Sequence, residues 1–161
     1  MAASTSPYLL AKTDQNFSLV YCNDAFTHLL HKSLNKCLGT DLNRFWKESL
    51  PLTVQNYIQT LFETNGFYNC FVPLLIDGSE RWYFIDFGKR HSASGAVLGF
   101  EYIAYPPAKD GVSFFKRLYH ELAQLESSNS YTAELAMERF LQAISTKGYS
   151  YEELVCIFQS V

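Results

Sequence analysis

Apolar positions along this chain change period several times, and each change marks an element. Residues 14–16, Asp-Gln-Asn, form a polar turn between two strands, the second a run rich in β-branched and aromatic residues over 17–22. Asn23 stops that run. Its side chain is suited to accept from a backbone N–H two or three residues on, and Asp24 adds negative charge at the positive end of a helix carrying Phe26, Leu29 and Leu30. Residues 36–45, with Gly39 among short polar pieces, predict brief helical turns rather than one long helix. Pro51 suits the first turn of a longer one, where its missing N–H does no harm, and Val54, Tyr57, Ile58, Leu61 and Phe62 follow at helical spacing until Asn65-Gly66.

Three long strand-like runs come next, over residues 67–76, 81–89 and 96–105. Asp77-Gly78 between the first two is a type I′ hairpin signal, and residues 91–95 predict a looser hairpin. Two strands, helices, then three strands predict an α+β fold, an antiparallel sheet with helices inserted between its halves. Both strand faces are apolar: Trp82 and Phe84 alternate with Tyr83, Ile85 and Phe87, and Val97 and Ile103 with Leu98, Phe100 and Tyr102. A sheet with one wet face alternates more cleanly, so both faces need cover. The inserted helices cover one, and the C-terminal helix or a second subunit is expected on the other.

After Pro106-Pro107 break the last strand, Asp110 is placed to cap a helix whose seam is Phe115, Leu118, Leu122 and Leu125. Residues 127–130, Ser-Ser-Asn-Ser, end it and open another with Leu135, Phe140, Leu141 and Ile144 on its apolar side, closed by Gly148. Ser150 and Glu153 form a capping box for a last helix with Leu154, Ile157 and Phe158.

Composition narrows the function classes. The net charge of −3 gives no electrostatic case for nucleic acid or an anionic membrane. No run approaches the ~18 apolar residues of a membrane span, and Met1-Ala-Ala-Ser-Thr-Ser lacks the features of a secretory signal, so the expected location is cytoplasmic. Cys22, Cys37, Cys70 and Cys156 stand singly, without zinc or redox spacing, and are read as reduced thiols packed as small hydrophobes. No metal site is expected. His28 and His31 lie three apart on a predicted helix, but no carboxylate or cysteine completes a ligand set. No phosphate-binding glycine loop, nucleophile elbow or placed Ser, His and Asp set is present, so an enzyme is not expected. Asp86, in a ring-rich strand, is the acid whose burial would raise its pKa and demand a partner. With aromatics at 16% of residues, the rings of Trp46, Tyr57, Tyr68, Trp82, Phe84 and Phe100 either line a ligand cavity or fill the core.

Three segments carry a family likeness. Thr13-Asp14 through Tyr21-Cys22-Asn23-Asp24-Ala25-Phe26, Gly95-Ala96-Val97-Leu98-Gly99-Phe100 through Pro106, and the helix with Leu118-Tyr119 together resemble a PAS sensor domain of the aerotaxis-receptor type. The resemblance implies a sheet in the order 2-1-5-4-3, with strand three at an edge, where Pro73 is tolerated. It divides the chain into a PAS domain over 8–107 and a helical C-terminal extension over 108–161. It implies a sensory module that responds to a small ligand or redox state through its C-terminal helix. No kinase, cyclase or methyl-accepting segment is found, so a downstream signalling protein is expected, and the apolar strand faces make a homodimer the expected assembly. Flavin is the implied cofactor, FAD first, with the six rings above as its lining. Lys47-Glu48-Ser49-Leu50-Pro51 stands where such receptors carry His-Pro-Asp-Met-Pro, and Phe67-Tyr68 where they place a Trp, so weak flavin affinity is expected. The alternative is a ligand-free PAS module for protein interaction or dimerisation.

Overall fold

The computed structural model describes residues 7–160, so the reading of the first six residues lies outside it. Strands β1 (Leu9–Thr13) and β2 (Leu19–Cys22) pair antiparallel across a turn organised by the Asp14 carboxylate, which accepts from the N–H groups of Asn16 (2.8 Å) and Ser18 (3.0 Å). Phe17, expected as the first residue of the second strand, belongs to this turn. Its φ of 62° lies in the left-handed region, which lets its ring turn inward onto Phe100.

Asn23 does more than cap. Its Oδ1 accepts from Phe26 N–H (3.2 Å) and from Leu10 N–H (3.1 Å), while its Nδ2 donates to the Tyr8 carbonyl (3.0 Å), fixing the start of helix α1 (Asp24–Leu30) against β1. Two brief helices follow as expected, α2 (Leu34–Cys37) and α3 (Leu42–Lys47), the second capped by the Asp41 side chain. The long helix α4 (Leu52–Asn65) begins one residue later than predicted, with Pro51 at its N-cap, and ends on Gly66 at φ 77°.

Strands β3 (Phe67–Ile76), β4 (Ser79–His91) and β5 (Val97–Tyr105) complete one antiparallel sheet in the order β2-β1-β5-β4-β3. Asp77 and Gly78 both take positive φ, as a type I′ turn requires. Pro73 lies opposite Trp82 in the β3–β4 ladder and on the edge strand, so its missing donor leaves no ladder bond unmade. Helices α5 (Lys109–Glu126), α6 (Ala133–Ser145) and α7 (Tyr151–Gln159) follow. Ser150 and Glu153 make the predicted capping box. Ala108, not Asp110, takes the cap position of α5, and Asp110 adds charge to the first turn instead.

The sheet separates two layers. Ala11, Tyr68, Cys70, Ile85, Phe87 and Tyr102 point to one face, beneath α1–α4, and all are buried. Phe71 and Phe84 point to the other and are buried as well, with Phe71 stacked on Phe115 of α5 at 5.0 Å. Gly111 permits that approach, since a Cβ there would collide with the Phe71 ring. The cover reaches only the β3 and β4 side: Leu10, Ile103 and Tyr105 on the same face stay half-buried.

Candidate functional site

The inner layer is built from rings. Phe17 stacks on Phe100 (4.3 Å between centroids), while Phe87 makes tilted contacts with Tyr102 (4.4 Å), Tyr68 (4.8 Å) and Phe62 of α4 (4.9 Å). Trp46 of α3 lies over Tyr102 at 6.2 Å and meets Tyr83 edge-on. Two donors in this layer stay unpaired, the Trp46 Nε1–H and the Tyr102 hydroxyl, although both residues are almost fully buried. Such groups cost free energy unless something accepts from them. Burial drives the pKa of the Tyr102 and Tyr68 phenols upward, and that of the Cys70 thiol with them, so all three are neutral. Lys47, at the end of α3, is half-buried and donates to Gln59 Oε1 of α4 (3.0 Å), and burial lowers its pKa.

The structure divides the six rings predicted to line one cavity. Trp46, Tyr68 and Phe100 face the inner layer. Trp82 and Phe84 do not: strand residues alternate faces, and with Tyr83, Ile85 and Phe87 turned inward these two lie on the outer side, Trp82 against Tyr119 and Phe84 against Phe71. Tyr57 also leaves the set. It lies on the side of α4 turned to the C-terminal helices and packs edge-on against Phe140 (5.1 Å) and Tyr151 (5.2 Å).

The residues that sequence reasoning missed tie α5–α7 to the rest. Tyr119 Oη donates to the Phe71 carbonyl (2.8 Å) and Tyr151 Oη to the Asn69 carbonyl (3.0 Å), two acceptors on alternate residues of edge strand β3. These hydroxyls take the place of a sixth strand. At the end of α5, the Glu126 carboxylate accepts from Leu52 N–H (3.0 Å), Thr53 N–H (2.8 Å) and Thr53 Oγ1–H (2.7 Å), capping α4 from another helix. Gln159 of α7 accepts from Ala108 N–H (3.0 Å) and donates to the Pro106 carbonyl (2.9 Å). None of these ties was announced in sequence, because a Tyr or Glu bound to distant backbone leaves no local signal.

Asp86 lies on the outer sheet face, where it accepts from Asn69 Nδ2 and pairs with the Tyr105 hydroxyl. Burial raises its pKa above the usual carboxylate range, although both partners pull it down. His31 sits at the C-cap of α1 and pairs with Asp77 at 2.9 Å on the surface, away from His28 in role and partner. Cys22, Cys37 and Cys70 are buried and Cys156 is exposed; burial pushes the Cys22 thiol up to about 11, with the neighbouring Cys37 adding to it. Among the described residues no group of His, Cys, Asp and Glu is arranged to hold a metal, and no helix is long and apolar enough to cross a membrane.

Comparison with solved structures places this geometry. A light-oxygen-voltage domain whose mechanism was probed with a flavin analogue is 20% identical, with a TM-score of 0.54, over 73% of this chain and 90% of that one. The PAS domain of a protein from Colwellia psychrerythraea is 15% identical, with a TM-score of 0.53, over 63% and 86%. The light state of the blue-light photoreceptor Aureochrome1 LOV is 16% identical, also at 0.53, over 75% and 93%. At these identities the likeness is one of fold. No curated protein matches the chain significantly. The family model described as the PAS fold matches residues 3–106, well over half of the chain, in agreement with the strand order and inserted helices seen here. The chain belongs to the PAS family.

Proposed function

We propose that this protein is a non-catalytic, cytoplasmic sensory and signal-relay module, in which residues 8–107 form the PAS unit and residues 108–161 the helical output that a downstream signalling protein reads, within a homodimer. The observation that carries this reading is the Glu126 carboxylate on the N-terminus of α4. Helix α4 packs Phe62 on the inner rings, so a shift in that layer moves α4, and Glu126 passes the movement to the last turn of α5.

Hydrogen exchange on the full chain tests the relay. Phe62→Leu removes ring contacts only at the inner end of α4. We expect exchange at Leu52, Thr53 and the last turn of α5 to quicken about tenfold, with β1 and β2 unchanged. In a Glu126→Ala background the same substitution should leave α5 untouched. A change confined to the neighbours of residue 62 would remove the reading.

The flavin analogue used with the light-oxygen-voltage neighbour, and the FAD implied by the aerotaxis-type likeness, make flavin the first ligand to consider for the inner layer. The unpaired Trp46 and Tyr102 donors are suited to an acceptor-bearing ligand. The ring spacing is not suited to a flavin. A planar group between two rings needs about 7 Å, twice the ~3.5 Å contact distance, and the ring pairs of this layer have their centroids 4.3–6.5 Å apart. A flavin therefore enters only if those rings part, and we expect a colourless preparation with weak binding of added FAD. The same ring stack favours a second reading, a ligand-free interaction module. A yellow protein with one flavin per chain would reject it.

A further inference from the structure

The widest concavity described lies outside the inner layer, between α5, the β3–β4 hairpin and the α3–α4 turn. It measures about 890 Å³, within the ~300–1,000 Å³ range of small-molecule sites. Its floor is flat. The Trp82 indole is stacked on Tyr119 at 5.8 Å and 25°, and Pro73 lies directly opposite Trp82 across the ladder. Trp82 keeps part of its ring accessible, while its N–H is already donated to Glu80 Oε1 (2.9 Å).

The charges around this floor differ in what they have left to give. Both acids are paired: Glu80 Oε1 also accepts from Lys116 Nζ (2.8 Å), and the Glu126 carboxylate caps α4. Arg117 and His120, exposed on α5 and lining the same groove, carry no hydrogen bond or ion pair among the described residues, and Lys116 uses one donor of three. The free capacity is therefore an aromatic platform beside an unspent guanidinium and further N–H donors. Such a combination selects a ligand that is flat at one end and anionic at the other.

We propose that this groove is a binding site for a small planar aromatic carboxylate, its rings on Trp82 and Pro73 and its carboxylate against Arg117, with His120 and Lys116 alongside. A fused two-ring acid matches the volume better than a single ring. The site does not depend on the relay proposed above, because binding is read at Trp82 itself and not in α5–α7 output.

The chain has two tryptophans, one in each layer, so its two indole N–H signals in ¹H–¹⁵N spectra report the two spaces separately. Trp46→Phe assigns them. Titration with naphthalene-2-carboxylate should shift the Trp82 signal saturably in the sub-millimolar to millimolar range and leave Trp46 in place. Naphthalene-2-carboxamide, equal in shape but uncharged, should bind about tenfold more weakly, and Arg117→Gln with His120→Gln should cost the acid a similar factor. The two substituted residues are exposed, so the fold is retained, as unchanged Trp46 position will verify. Equal binding of acid and amide would reduce the groove to a patch of apolar surface. Movement of the Trp46 signal would put the ligand in the inner layer, and no saturable shift at 5 mM, roughly the weakest affinity worth calling a site, would end the proposal.

Discussion

The inner layer and the C-terminal layer of this protein are held by opposite means. Between the sheet and α1–α4, rings pack on rings with few polar contacts, and two buried donors go unpaired. Between the sheet edge and α5–α7, aromatic contacts such as Phe71 on Phe115 are joined by hydrogen bonds to backbone atoms at chosen points: Phe71 O, Asn69 O, and the first two amides of α4. Ring packing is non-directional and tolerates small shifts, whereas a hydrogen bond loses most of its strength within an ångström. The difference teaches where a change of state can be generated and where it can be read: a soft layer absorbs it, and a layer of discrete contacts reports it.

The largest effect should come from the soft layer. Phe87 touches Tyr68, Phe62, Phe100 and Tyr102, so Phe87→Ala should lose about 3–5 kcal/mol in urea unfolding, enough to leave a marginal domain. A loss below ~1.5 kcal/mol would mean the rings repack and the contrast between the layers is overdrawn.

A smaller and sharper effect belongs to the edge. Tyr119→Phe and Tyr151→Phe each remove one hydroxyl and strand one β3 carbonyl, for about 1–2 kcal/mol apiece with no change of shape. Exchange should rise first in α5–α7. If β1 and β5 open equally, the C-terminal helices and the sheet are one cooperative unit and the edge contacts are not a separate reporter.

The smallest effect concerns Asp86, whose raised pKa means that the folded state holds its proton more tightly than the unfolded chain does. Its penalty is absent below the unfolded value, ~3.9, grows as pH rises through the folded value, and is constant above both. Asp86→Asn should therefore gain stability relative to the parent on going from pH 3 to pH 7. A constant difference across that range would show that Asn69 and Tyr105 offset its burial completely.

Local chemistry determined the elements. The Asn23 cap, the Asp77-Gly78 turn, the Ser150 capping box and the edge position of Pro73 each follow from what one or two side chains do to nearby backbone, and such rules operate within a few residues. The strand order came from the family likeness rather than from periodicity, since an alternating run does not say which strand lies beside it. Tertiary structure alone decided the faces. Trp82 and Tyr83 are equally apolar neighbours, and only the packing of α3 and α5 on opposite sides of the sheet sends one outward to Tyr119 and the other inward to Trp46. It likewise placed Glu126 on Thr53, 73 residues away in the chain, because a carboxylate finds free amides by position in space and nothing in its own neighbourhood records which helix will present them.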